Sequence, residues 1–147
     1  MTRTTWDGQP ITDEQPHGAS VVVWRDRAAA REWLVLHRRH AGPPDHEGDW
    51  AWTPPSGARL PGEPIERCAR RELLEETGLA LHCLPTECGS EEWAVFAARA
   101  PAGAQVVLSA EHDRFLWLPL AAAVERCRPR FVGDSIAAVA GRVSHGR

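Results

Sequence analysis

The sequence predicts an α/β fold in which a mixed sheet is covered by helices. Three observations lead there. Short apolar runs of strand length outnumber helical stretches. One helix is sharply bounded, by Pro64 at its start and Gly78 just past its end. A length of 147 residues, with 43% hydrophobic and 25% charged side chains, suits one domain with a useful core. The same figures exclude a disordered, collagen-like or coiled-coil chain.

The elements follow in order. Residues 1–17 are polar, with Pro10 and Pro16, and read as an arm on the surface of a single domain. Val21-Val22-Val23-Trp24 and Trp33 to His37 are apolar runs of buried-strand type, with a polar turn at 25–31 between them. Arg38 to Asp49 is a loop rich in Gly, Pro and charge. Trp50-Ala51-Trp52 is a short strand ending at Pro54-Pro55, and alternation puts both tryptophans on one face. Pro64 at the first helical position loses no hydrogen bond, and Gly78 tolerates a left-handed cap. Leu79 to Leu84, Trp93 to Ala98, Val106 to Leu108 and Phe115 to Leu118 are strand candidates. Two short helices are expected in the tail, at about Leu120 to Arg126 and about Ser135 to Val143.

Composition removes several functions. No apolar run reaches the length of a membrane span, and the first residues lack the apolar segment of a secretion signal, so a cytoplasmic location is the expectation. A net charge of −3 gives no general field for a nucleic acid polymer or an anionic membrane. All 17 basic residues are Arg and there is no Tyr, so no Lys amine or Tyr phenol takes part in any chemistry. Cys68, Cys83, Cys88 and Cys127 show no C-x-x-C spacing and read as reduced thiols.

On the bounded helix, Glu72, Glu75 and Glu76 are three or four residues apart and share one face. Glu72 and Glu76 form a like-charge i,i+4 pair, which costs about 0.3 kcal/mol. No basic residue four positions away relieves Glu76, because those places hold Glu72 and Ala80. Hard divalent cations resolve such repulsion, and Mg²⁺ takes carboxylate oxygens together with substrate phosphates. Arg71, four residues before Glu75, can hold that carboxylate in a two-pronged pair. Ala69 and Leu73, with Cys68 nearby, make an apolar stripe that can pack on a sheet. A solvated acidic face is the bland alternative for three clustered glutamates, and the residues around them decide against it.

Those residues run Gly57, five residues, Glu63, seven residues, then Arg71-Glu72-Leu73-Leu74-Glu75-Glu76-Thr77-Gly78-Leu79. This resembles the Nudix box, G-x5-E-x7-R-E-U-x-E-E-x-G-U with U aliphatic, complete at every fixed position. The resemblance to the Nudix hydrolases spans about residues 18–143. It implies an α/β/α sandwich with a mixed central sheet, and Mg²⁺-dependent hydrolysis (Mn²⁺ as the alternative ion) of a nucleoside diphosphate linked to another moiety. By the resemblance, Glu72, Glu75 and Glu76 hold metal and the Gly57 carbonyl is a further ligand. Arg71 orients a catalytic carboxylate and Glu63 is structural. One more acidic residue outside the box commonly serves as metal ligand or base; Glu111 is the candidate, with Glu91 and Glu92 behind it. The implied reaction is in-line attack of activated water on one phosphorus, with a carboxylate as base and no covalent enzyme nucleophile. The resemblance also carries a homodimer as an expectation, although no apolar stripe marks an interface. A non-catalytic Nudix-like module that senses a nucleotide is the alternative, but such modules commonly lose box residues and this chain retains all of them.

Substrate choice falls to the rest of the chain. Trp52-Thr53-Pro54-Pro55-Ser56-Gly57 resembles the segment leading into the box of asymmetric diadenosine-tetraphosphate hydrolases. Ser56 stands where those enzymes usually have Lys, and the Tyr they carry beyond the box is absent. Phe96, 17 residues past Leu79, is the substitute stacking face. Trp50, Trp52, Trp93 and Trp117 are further candidate rings, and Arg38 and Arg59 are candidate phosphate contacts. Each of these residues also has an ordinary structural reading as core or surface. His37 and His40 sit on strand and loop and do not suggest a metal site.

Overall fold

The computed structural model describes residues 3–5, 7–40, 42–43 and 45–143; of the expected arm, residues 1, 2 and 6 lie outside this set. The elements are β1 (Gly18–Arg27), β2 (Ala30–Arg38), β3 (Trp52–Thr53), β4 (Ser56–Ala58), α1 (Ile65–Thr77), β5 (Leu84–Pro85), β6 (Trp93–Ala100), β7 (His112–Leu118), α2 (Leu120–Arg126) and α3 (Arg130–Val143). Among the described residues seven strands form one sheet in the order β3-β2-β1-β6-β5, with β4 also on β1 and β7 also on β2. β1 and β6 run parallel and the other pairs antiparallel, so the sheet is mixed.

Alternation along the central strands sorts the apolar runs into two cores. Val21, Val23, Leu34, Leu36, Phe96 and Ala98 face one way and meet Cys68, Ala69 and Leu73 of α1. Val22, Trp24, Trp33, Val35, Val95 and Ala97 face the other way and meet Ala123 of α2 with Ile136 and Val139 of α3. The result is a three-layer α/β/α sandwich. Both faces of the sheet are covered, which is why the strands read as continuous apolar runs.

The hairpin β1–β2 is longer than the apolar runs suggest. Polar residues continue the ladder through cross-strand pairs, Arg25 Nε to Glu32 Oε1 at 2.8 Å and Arg31 Nε to Asp26 Oδ1 at 2.7 Å. Helix α1 starts one residue later than expected. Pro64 is its N-cap, extended at ψ 143°, and Gly78 closes it at φ 73°, where a Cβ would be strained.

Other expectations need correction. Trp50 lies in a turn at φ 65°, so the strand begins at Trp52, and the two tryptophans do not share a face: Trp52 is buried and Trp50 is 45% exposed. Val106 to Leu108 is not a strand; the Val107 N–H donates to the Thr77 carbonyl at the end of α1 instead of to a ladder. From Leu79 to Leu84 the alternation is real, with Leu79 and Cys83 buried, but a partner strand is met only at Leu84. Strand β4 was not expected, because Ser56-Gly57-Ala58 carries no apolar signal and is held by pairing with Gly18–Ser20. Helix α3 begins at Arg130, five residues before the expected start at Ser135.

Candidate active site

Helix α1 packs its apolar stripe on the sheet and turns Glu72 and Glu76 toward β4. The two carboxylates, four residues apart, are only 9% and 2% exposed. Glu75, between them in sequence, points out to the rim. A cleft of about 590 Å³ opens over this face. Its walls include Ser56, Gly57, Arg71, Glu72, Glu75, Glu76, Arg38 and Glu111.

Arg71 organises the helical side. Its Nε and Nη2 donate to the two oxygens of Glu63 at 2.7 and 2.9 Å, and Nη2 also reaches the Ala58 carbonyl at 3.0 Å. Nη1 donates to Glu72 Oε1 at 2.8 Å and Glu75 Oε1 at 3.2 Å. The two-pronged pair expected with Glu75 therefore forms with Glu63 instead. Burial alone would raise the Glu63 pKa, but the Arg71 hydrogen bonds and the Leu60 N–H hold it below the usual carboxylate value. The same carboxylates raise the Arg71 pKa.

The other two buried carboxylates behave oppositely. Burial pushes Glu72 up to about 7, with Arg71 opposing. Burial pushes Glu76 well above its usual value, and the charges of Glu111 and Glu72 add to this, against the Ser56 N–H that donates to Glu76 Oε1 at 3.0 Å. The second oxygen, Glu76 Oε2, is buried with no hydrogen-bond partner among the described residues. Such a group is costly unless something satisfies it. Gly57 faces the cluster: a Cβ there would fall 1.9 Å from Glu72 Cδ, so only glycine leaves room. An orphaned carboxylate oxygen, clustered negative charge and hard oxygen donors fit a divalent cation.

Glu111 reaches the cleft from the turn before β7. Next to it is a residue that the sequence reasoning missed. His112 is 2% exposed, and a ring nitrogen lies within 4.8 Å of carboxylate oxygens of Glu76 and Glu111. The signal for it was slight: a histidine beside a candidate ligand at the start of a strand. Arg38 pairs in register with His112 across the sheet and lines the cleft, its buried Nε without a partner among the described residues.

Three other expected site residues are elsewhere. Phe96 is 2% exposed in the core under α1, because its parity on β6 turns it inward with Ala98. Trp50 packs edge-on against Phe131, outside the cleft lining. Arg59 donates to the backbone carbonyls of Glu63 and Pro16 at 2.6 and 3.2 Å, so it ties the arm to the box loop. Of the four tryptophans considered, Trp93 is the one in the cleft wall. Its indole N–H donates to Ser20 Oγ at 2.9 Å, and Ser20 Oγ is 2.9 Å from Ser56 Oγ. Ser56 Oγ donates to the Pro54 carbonyl at 2.7 Å, so its own proton is taken and Ser20 must be the donor between the two serines. Thr5, Asp7, Gln9 and Ile11 complete the cleft, which makes the expected surface arm one of its walls.

Known proteins share this fold. The crystal structure of a Caenorhabditis elegans Ap4A hydrolase binary complex is similar at TM-score 0.69 and 26% identity, covering 87% of this chain and 97% of that one. A NUDIX hydrolase structure from Listeria monocytogenes is similar at TM-score 0.72 and 20% identity, covering 90% of this chain and 97% of that one. An octanoyltransferase of Myxococcus xanthus is 30% identical over 138 residues, which are 84% of this chain but 36% of that protein; the chain spans about a third of that relative's length. The NUDIX domain family model matches residues 15–137, and the chain belongs to the Nudix family.

Proposed function

We propose that this protein hydrolyses a diphosphate linkage in a nucleoside diphosphate derivative, using a divalent cation, Mg²⁺ or Mn²⁺. The observation that carries the proposal is the buried Glu72–Glu76 pair facing Glu111, with Glu76 Oε2 unsatisfied and Gly57 kept free of a side chain. Glu72, Glu76 and Glu111, with the Gly57 carbonyl, would hold the cation, and Glu75 would join them from the rim. When bound, the cation neutralises phosphate charge and makes water acidic enough to attack at neutral pH.

The chain's own residues do the rest. Arg71 fixes Glu72 through Oε1 and draws Glu75 toward the cleft. The Ser56 N–H fixes Glu76 through Oε1 and leaves Oε2 without a donor among the described residues. Arg38, with a buried donor still available, meets a phosphate oxygen of the substrate. The proton released on attack passes to a carboxylate among Glu72, Glu75 and Glu111. Trp93, 36% exposed and held by Ser20, offers its ring to the base of the nucleoside. In this reading Ser56, which stands where Ap4A hydrolases usually carry Lys, contributes by fixing both Glu76 and, through Ser20, Trp93. Retention of every box residue favours turnover over a sensing module, and the likeness to an Ap4A hydrolase supports a nucleoside polyphosphate as substrate. Among the described residues no helix is long and apolar enough to cross a membrane.

The test is a phosphate-release screen with Mg²⁺ and Mn²⁺ over nucleoside triphosphates, dinucleoside polyphosphates, ADP-ribose, nucleotide sugars and diphosphoinositols. Metal-dependent turnover of at least one nucleoside diphosphate derivative is expected. Binding without turnover across the panel would move the protein to the sensing class.

A further inference from the structure

We infer that His112 is a nitrogen ligand to a divalent cation in the cleft, and that it turns this site from Mg²⁺ toward Mn²⁺, Co²⁺ or Zn²⁺. The inference rests on the reading of the cleft as a cation site and adds to it the identity of one ligand and the resulting metal preference.

Two independent features meet here. One is the placement of a His112 ring nitrogen within 4.8 Å of carboxylate oxygens from Glu76 and Glu111, close enough for all three to share one ion. The other is that His112 Nδ1 is buried and has no hydrogen-bond partner among the described residues. A core histidine kept for packing would be expected to satisfy such an atom, because burying an imidazole nitrogen unpaired is unfavourable. His37 shows that behaviour in the same sheet: its Nδ1 meets Asp113 Oδ1 at 2.7 Å and its Nε2 meets the His46 carbonyl at 2.8 Å. Glu76 Oε2 is orphaned as well. An ion held by this cluster would give buried, unpaired groups of this kind a partner.

The imidazole is also held in place. Its backbone is fixed by register with Arg38 and by its N–H donating to the Ser109 carbonyl at 3.2 Å. Mg²⁺ prefers oxygen and gains little from such a ligand, whereas Mn²⁺, Co²⁺ and Zn²⁺ accept imidazole readily.

The experiment uses the full chain without substrate. Mn²⁺-loaded protein is examined by pulsed electron paramagnetic resonance for nitrogen coupling, and Mn²⁺ and Mg²⁺ affinities are measured by calorimetry for wild type, His112→Gln and Glu76→Gln. Nitrogen coupling is expected in the wild type and lost in His112→Gln. That variant should bind Mn²⁺ at least about tenfold more weakly, with Mg²⁺ affinity changed by much less. Absence of nitrogen coupling in the wild type overturns the inference, and so does equal weakening of both ions or no change in His112→Gln. Should His112→Gln fail to fold, the wild-type spectrum decides alone. Loss of both ions in Glu76→Gln with none in His112→Gln would sink the histidine ligand and leave the carboxylate site standing. Unaltered binding in Glu76→Gln would sink the cation reading itself.

Discussion

The Arg71 guanidinium closes a two-pronged pair on Glu63, Nε to Oε2 at 2.7 Å and Nη2 to Oε1 at 2.9 Å, and turns its remaining nitrogen to Glu72. One planar cation thus sets the loop ahead of α1 and the carboxylate in the cleft together. A lysine cannot make the fork. Arg71→Lys is expected to lose about 2 kcal/mol of stability, as for charged hydrogen bonds generally, and to lower kcat about 10- to 100-fold. Chemical denaturation and steady-state kinetics check both; unchanged kcat would mean that Glu72 needs no support from Arg71.

Gly57 carries a stricter prediction. Gly57→Ala places a methyl carbon 1.9 Å from Glu72 Cδ, so the carboxylate must move out of the cluster. Metal affinity should fall by at least about tenfold while far-UV circular dichroism stays unchanged. Wild-type affinity in this variant would show that Glu72 does not need its place against Gly57.

Trp93 and Phe96 separate stacking from packing. Trp93→Ala should raise KM for a nucleoside substrate about tenfold, equivalent to the worth of one aromatic pair, with little change in melting temperature. Phe96→Ala should cost about 3–5 kcal/mol of stability and leave KM of the folded protein unaltered, because the ring lies under α1. The opposite pattern would return Phe96 to the site.

In chelator, the buried carboxylates make stability depend on pH with a definite sign. Between about 4.5 and about 7 the folded chain keeps a proton on Glu72 that the unfolded chain releases. The folded state then binds more protons, so this contribution falls as pH rises. His112 acts in the opposite sense between about 4 and 6.5, where the unfolded chain binds the extra proton. The difference between wild type and Glu72→Gln isolates the carboxylate. The variant is expected to melt about 5 °C higher than wild type near pH 8 and at nearly the same temperature near pH 5. A constant offset at both pH values would contradict the raised Glu72 pKa.

The helix with its carboxylates was legible because its signals are local. Pro64 and Gly78 mark its ends within one residue, and three- and four-residue spacing fixes which glutamates share a face. Glu111 and Arg38 were also placed in the cleft lining. Phe96 was misplaced for a physical reason. Both faces of β6 are covered, so Val95 and Phe96 look equally buried from sequence, and parity is set only by pairing with β1. Trp50 failed on a backbone property, a left-handed conformation that no residue beside it announces. Arg59 failed because nearby carbonyls from the arm and the box loop take its donors. The arm wall and the Trp93-Ser20-Ser56 chain depend on contacts 36 to 73 residues apart, beyond the reach of any spacing rule.

The central claim, that the buried acidic cluster exists to hold a cation against a diphosphate, is tested most directly by Glu76→Gln. The substitution keeps the shape and removes the charge. Hydrolysis of the best substrate should fall by at least about a hundredfold, with melting in chelator equal to or above wild type. Wild-type turnover in a folded Glu76→Gln protein would contradict the account.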